Sequence, residues 1–304
     1  MKTQTPYQPK QIHHPGSVLA EKLQELNIGS KEFAVRTGKP EKTISAILNE
    51  KSSITADMAI LFELAIGIPS HYWLKHQMAY DIYAAELKRE RHHAEQVKWI
   101  THFPIEELIN LGVITSSSSK IAQLHELLRF FGFSDVNAWE NYYLRQKLKV
   151  NFSISLLAYP NPYLVATWLR LGELQATDSL TQPYSVRQFK NTLEWIAEKK
   201  SEMSFEHLQQ LCTKAGVQVV STCGIKDLNV KGATRWINNV PIIQIAVRYN
   251  SAEFWPTFFH EAAHILLHGK KEIFLEHLKI SINNCNKEQE ADVLADKYLE
   301  LHRQ

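Results

Sequence analysis

Residues 254–270 read FWPTFFHEAAHILLHGK and set three histidines and a glutamate into one of the most apolar runs of a 304-residue chain. Wound as a helix at 100° per residue, His260, His264, Thr257, His268 and Glu261 fall on about a third of the circumference. Phe254, Trp255, Phe258, Phe259, Ala262, Ala263, Ile265, Leu266 and Leu267 take nearly all the remainder. So wide an apolar arc marks a buried helix, and an ordinary surface helix would carry lysine, arginine and glutamine on its polar side. Here the narrow stripe holds residue types that bind metals. His260 and His264, one turn apart, bring two imidazoles to one point, the geometry a Zn²⁺ ion needs. Glu261 is rotated off that direction, where it can take up a proton rather than ligate the ion. His268 lies too far along the axis to reach the same ion and reads as an outer or surface residue.

A zinc hydrolase uses three protein ligands, so one more is required. The continuation HExxHxxGxxH is absent, because Leu267 and Lys270 stand where its glycine and third histidine would be. Downstream, NKEQEADVLADKYL at 286–299 predicts an amphipathic helix with Ala291, Leu294, Ala295 and Tyr298 on its apolar face and Asn286 as its cap. Glu288 and Glu290 flank that face on opposite sides, so helical phase leaves both open. Glu288 has a second reason to sit there, since a carboxylate in the first turn suits the positive helix end. For an oxyanion partner the candidates are Tyr249, Arg235 and His268.

Upstream of the histidines, SFEHLQQLCTKAG predicts a helix, VQVVST a strand, and GATRWINNVPIIQIAV two more strands. The C-terminal part is therefore a small mixed α+β domain. Residues 79–200 carry helical pieces, among them SSKIAQLHELLRFFG, with Ser118 or Ser119 as cap and Gly132 as stop. Trp139, Tyr142, Tyr143, Trp168 and Trp195 are read there as core, and the region as helical scaffold or dimer contact, without chemistry.

Residues 16–77 read as a run of short helices. Ser17 is the expected cap of SVLAEKLQELN, Ser30 the cap and Gly38 the stop of SKEFAVRTG. Pro40 opens PEKTISAILNE, where its missing N–H costs nothing. Thr55 caps TADMAILFELAIG, which ends at Gly67. A short helix, a tight turn and a second short helix is helix-turn-helix spacing.

Beyond spacing, the segment from His14 to Asp81 resembles the HigA-like antitoxin branch of the Xre-type helix-turn-helix family. His14-Pro15-Gly16, Thr43-Ile44-Ser45, Ile54-Thr55 and Tyr72-Trp73-Leu74 fall at that family's landmarks. The resemblance implies that the helix at 40–49 enters the major groove of a double-stranded, palindromic operator, read by a homodimer. Lys39, Glu41, Lys42, Thr43 and Ser45 are then the candidate DNA contacts. Glu41 departs from the family pattern, since a carboxylate there repels phosphate unless it reads a cytosine amino group.

A second resemblance covers about residues 168–299. TFFHEAAHILLHGKKEIFLE followed by EQEADVLADKYL is similar to the ImmA/IrrE family of metallopeptidases, thermolysin-like zinc enzymes. GVQVV, GATRWINNVPIIQIAVRYN and FWPTFFHE match its upstream strands. This resemblance implies Zn²⁺ held by His260, His264 and the glutamate before the alanine, Glu290. Glu261 would be the catalytic base, and the substrate a regulatory protein, the chain itself or a toxin partner.

Composition sets the outer bounds. With 44% hydrophobic and 22% charged residues and a formal net charge of +2, the chain reads as globular, and its slight basic excess permits nucleic-acid binding without arguing for it. Three widely spaced cysteines form neither a disulfide framework nor a thiolate metal site. The apolar stretch from Phe152 is broken by Pro160 and Pro162, so no membrane span is expected. A cytoplasmic setting follows as the expectation. The expected architecture is mainly α: a flexible tail at 1–13, a helix-turn-helix bundle at 14–95, a helical region at 96–200, and a zincin-like α+β domain with a small sheet at 201–304.

Overall fold

A computed structural model of the chain describes residues 12–117, 119–145, 161–176, 182–222, 224–268, 274–275 and 285–301. Most of the expected tail, Ser118, Cys223 and the start of the proline-broken stretch lie outside them. The chain divides into two compact units, 1–95 and 96–304. None of the described helices is long and apolar enough to cross a membrane.

The first unit is five helices, α1 (Pro15–Glu25), α2 (Ser30–Thr37), α3 (Glu41–Leu48), α4 (Ala56–Ile66) and α5 (Ser70–Gln96). Leu19, Leu23, Phe33, Ile44, Ile47, Phe62 and Trp73 form their core. Gly38, left-handed at φ 64°, ends α2, and a three-residue turn at 38–40 leads into α3. Thr55 caps α4 and Gly67 closes it at φ 73°, as expected. Two caps differ from expectation. Gly29, not Ser30, precedes α2, and His14, not Ser17, caps α1 by accepting a hydrogen bond from the Gly16 amide at 2.9 Å.

That cap makes the first unit pH-sensitive. His14 is buried, 3% exposed, and burial holds its imidazole below the ordinary value of 6.5 against the opposing pull of Glu50 and Asp81. Nδ1 can accept from Gly16 only while it carries no proton. The unfolded chain therefore takes up this proton first as pH falls, so the stability is whole above about pH 6.5 and is lost below it. In a fragment spanning residues 1–96, the melting temperature should drop between pH 7 and pH 5. His14→Asn, whose Oδ1 can accept in place of Nδ1 without titrating, should flatten that drop; an unchanged pH dependence in this variant would count against the cap as its origin.

The second unit begins with α6 (Ile105–Asn110), α7 (Lys120–Phe131), α8 (Val136–Glu140) and α9 (Pro162–Gln175). Ser119 caps α7 and Gly132 stops it at φ 77°. Trp99, Phe103, Phe131, Trp139, Tyr143 and Trp168 join one core; Tyr142 is half-buried against it, whereas Trp195 is 42% exposed and belongs to no core.

Helices α10 (Val186–Lys199) and α11 (Phe205–Lys214) follow, then β1 (Gln218–Ser221), β2 (Gly232–Ile237) and β3 (Val240–Ile245). The long helix α12 (Phe254–Leu267), a two-residue β4 (Phe274–Leu275) and α13 (Cys285–Glu300) complete it. Asn286 lies inside α13 rather than capping it. The sheet order is β1-β3-β2-β4, with β1 parallel to β3 and the other pairs antiparallel. Asn238 and Asn239, at φ 49° and 67°, close the β2–β3 hairpin as the left-handed two-residue turn that matches strand twist.

Period-two alternation gives β2 two buried faces. On one face, the Arg235 guanidinium donates to Gln244 Oε1 at 2.8 Å and to the Leu169 carbonyl of α9 at 2.7 Å, while Gln244 Nε2 donates to the Trp168 carbonyl at 2.7 Å. Gly172 makes this approach possible, since a Cβ there would lie 2.1 Å from the Gln244 amide. On the other face, Thr234 Oγ1 donates to the Glu261 carbonyl at 2.8 Å and fixes α12 on the sheet. Phe254, Phe258, Phe259, Ala262 and Ile265 of α12 then enter a second core with Phe189, Leu193, Ile243, Ala295 and Tyr298.

Candidate metal centre and DNA-reading helix

The site is made where α13 lies along α12. Ala291, Ala295 and Tyr298 form the buried stripe of α13. The two alanines present no bulk, and Tyr298 stacks on Phe259 with ring centroids 5.5 Å apart. With the backbones this close, short acidic side chains at the edge of the stripe reach the histidines. His260 is 6% exposed, His264 1% and Glu261 0%.

His260 Nε2 lies 3.0 Å from His264 Nε2 and 3.1 Å from Glu288 Oε2, and His264 Nε2 lies 3.7 Å from Glu288 Oε1. A tetrahedral ion with bonds of 2.0–2.1 Å spaces its ligand atoms by about 3.3 Å, so the three donors fit a zinc ion. Among the described residues this is the one group of three or more potential ligands gathered in this way. Glu290, the carboxylate the resemblance put here, is elsewhere. Its Oε2 lies 3.4 Å from His268 Nε2. The difference has a plain cause: Glu288 and Glu290 are about 200° apart around α13, and the edge carrying Glu288 is the one that meets His260.

Electrostatics agree with the geometry. Burial would raise the Glu288 carboxyl, yet the hydrogen bonds from His260 and His264 outweigh it and pull the group to about 2. Burial also lowers the imidazole of His264, keeping it neutral, the form that can ligate a metal. Asp292, not anticipated, accepts from His260 Nδ1 at 2.8 Å. A carboxylate behind a ligating imidazole fixes its tautomer and orientation. Its signal was present in the sequence, because Asp292 follows Glu288 by one helical turn.

Glu261 does not join the three donors. It packs against the start of β2, where an ideal Cβ on Gly232 would fall 2.7 Å from Glu261 Oε1 and 2.7 Å from Thr257 Cγ2. Glycine at 232 is thus what leaves room for this carboxylate. Of the oxyanion candidates, Arg235 points to the opposite face of the sheet and Tyr249 donates its hydroxyl to the Met203 carbonyl. His268 stays beside His264, their Nδ1 atoms 3.0 Å apart.

In the first unit, α3 buries Ile44 and Ile47 and turns the opposite side outward. Glu41 and Lys42 are exposed, Thr43 and Ser45 half-buried. Lys39 is drawn into an ion pair with Asp57 at the start of α4. Ser45 is engaged by Asn49, whose side-chain amide donates to the Ser45 carbonyl at 2.8 Å and lies 3.3 Å from its hydroxyl. Lys42, Glu41 and Thr43 therefore lead the outward surface of this helix.

The chain is 35% identical over 79 residues to the uncharacterized HTH-type transcriptional regulator YddM of Escherichia coli strain K12, covering 25% of this chain and 84% of that protein. The chain belongs to the HTH-type transcriptional regulators. Solved structures similar to this regulator include an addiction module antidote protein of a HigA family from Coxiella burnetii, 37% identical over 28% of this chain and 94% of that one, with a TM-score of 0.26. The Pseudomonas aeruginosa antitoxin HigA with the higBA promoter is 26% identical over 27% of this chain and 90% of that one, TM-score 0.26. No family model matches the regulator.

Proposed function

We propose that this regulator joins a HigA-like, operator-binding unit to a zinc-dependent peptidase unit of the ImmA/IrrE, zincin-like kind, and that it cleaves a regulatory protein, itself or a toxin partner. The observation that carries the second half is the convergence of His260, His264 and Glu288, backed by Asp292, on one point. The first half rests on kinship with HTH-type regulators and on the outward face of α3.

When bound, zinc supplies Lewis acidity to a scissile carbonyl and to an attacking water. The chain supplies the rest. His264, whose imidazole burial lowers, His260 and the low-lying Glu288 carboxylate would hold the ion. Asp292 keeps Nδ1 of His260 protonated and its Nε2 aimed inward. Glu261, buried and fixed by Gly232 and Thr257, accepts the water's proton and passes it to the leaving amine. On α3, Lys42 and Thr43 contact DNA, Lys42 against phosphate and Thr43 toward base edges, with a homodimer matching a palindromic site.

The reading is tested on both halves with one protein. Zinc-loaded parent and Glu261→Gln are incubated with a lysate of the source bacterium, and new protein N-termini are mapped. Termini produced by the parent and lost at least 100-fold with Glu261→Gln, at equal zinc content, support the peptidase. Identical termini from both would remove it and leave a regulator whose second unit senses metal or docks a partner. Independently, Lys42→Ala with Thr43→Ala should release the DNA upstream of the regulator's own gene; unchanged binding would overturn the assignment of α3.

A further inference from the structure

His268 closes α12. Its backbone is extended, at φ −115° and ψ 164°, and its amide donates to the His264 carbonyl at 3.0 Å as the last bond of the helix. Its ring turns back along the helix onto His264, with ring centroids 5.0 Å apart, and its side chain is only 4% exposed. Nδ1 faces Nδ1 at 3.0 Å, so a single proton lies between the two nitrogens. His264 turns its Nε2 toward His260 and Glu288, and a nitrogen that ligates an ion carries no proton. The proton of neutral His264 is then on Nδ1 and is donated to His268. On its other side, His268 Nε2 lies 3.4 Å from Glu290 Oε2.

Resting on the zinc reading above, we infer that His268, backed by Glu290, is the positioning residue that fixes the tautomer and ring orientation of His264. Each ligating imidazole thereby meets a partner at its far nitrogen: His260 the Asp292 carboxylate, His264 the ring of His268, with the Glu290 carboxylate close behind it. The pattern gives Glu290 a role other than metal ligand, and gives a reason for a histidine at the very end of α12. An alanine at 268 leaves the His264 N–H without its acceptor and lets the ring turn.

Zinc affinity of the full chain, measured by competition with a chromophoric chelator, is the primary readout. His268→Ala should weaken zinc by about 10–100-fold, the range seen when an outer partner is removed. His268→Gln, which keeps an acceptor within reach, should recover most of the loss, and Glu290→Gln should cost less than His268→Ala. The visible spectrum of the Co²⁺-loaded protein should keep its band intensities in all three, because the ligand set is unchanged. A long-range ¹H–¹⁵N spectrum of the zinc-loaded parent should show His264 protonated on Nδ1. Parental affinity in His268→Ala, altered Co²⁺ intensity, or a His264 proton on Nε2 would each overturn the inference. Should the parent take up no zinc, the metal reading falls first and this inference with it; a zinc-binding parent with an indifferent His268 leaves the metal reading standing alone.

Discussion

Glu288→Ala should cost the protein its zinc, weakening affinity by well over the 10–100-fold expected for an outer partner. The expectation follows from the placement of this carboxylate, with one oxygen 3.1 Å from His260 Nε2 and the other 3.7 Å from His264 Nε2. Its removal leaves two neutral imidazoles, neither enough ligands nor enough charge for a divalent ion in a buried pocket. Asp292→Asn should fall in the outer-partner range, since it weakens only the brace behind His260. Metal content after dialysis against a chelator of graded strength separates the two. If Glu290→Ala lost as much zinc as Glu288→Ala, the assignment made from the α12–α13 packing would be wrong.

The second large effect belongs to the first unit. Gly16→Ala should destabilise it by about 3 kcal/mol or more, beyond the usual cost of overpacking, because the obstacle is backbone. The new Cβ would sit 2.0 Å from the Ile47 carbonyl oxygen and 2.8 Å from His14 Nδ1. Neither can step aside: Ile47 ends the buried row of α3, and His14 is the cap of α1. DNA affinity should fall together with stability, since the clash pushes on the helix that turns Lys42 outward. Gly29→Ala is the control, with nothing within 4 Å of its Cβ and φ at an ordinary −78°. It should change stability by less than about 1 kcal/mol. Urea midpoints of the 1–96 fragment decide the matter; a Gly16 variant as stable as the Gly29 variant would show that the α1–α3 contact is looser than described.

What could be read from the sequence was what short-range chemistry dictates. Thr55 and Gly67 bracket α4, and Ser119 and Gly132 bracket α7, each through a bond or a backbone angle a few residues away. The cap of α1 escaped because histidine is not among the common capping residues, and His14 takes the role in a buried setting against Tyr80, at a ring distance of 4.8 Å. For the candidate site, His260 and His264 were legible because one helix carries both. The carboxylate was not, because a helical wheel gives an angle within α13 but not the edge that meets α12. That choice is made by Ala291, Ala295 and Tyr298 in three dimensions. Arg235 was misjudged for a related reason: in a strand buried on both faces, residue type no longer tells inside from outside, and register against Gln244 decides.

The split of the three donors between two helices has one more consequence. Helix α13 packs on the second unit through Ala295, Tyr298, Leu294 and Leu299, and an ion gripping Glu288 from one side and the α12 histidines from the other would add a clasp. Occupancy at one hundred times the dissociation constant adds about 2.7 kcal/mol to whatever else holds the two helices together. On the zinc reading, a starved cell would carry chains whose last helix swings loose and is open to degradation, and metal supply would set the regulator's lifetime as well as its chemistry.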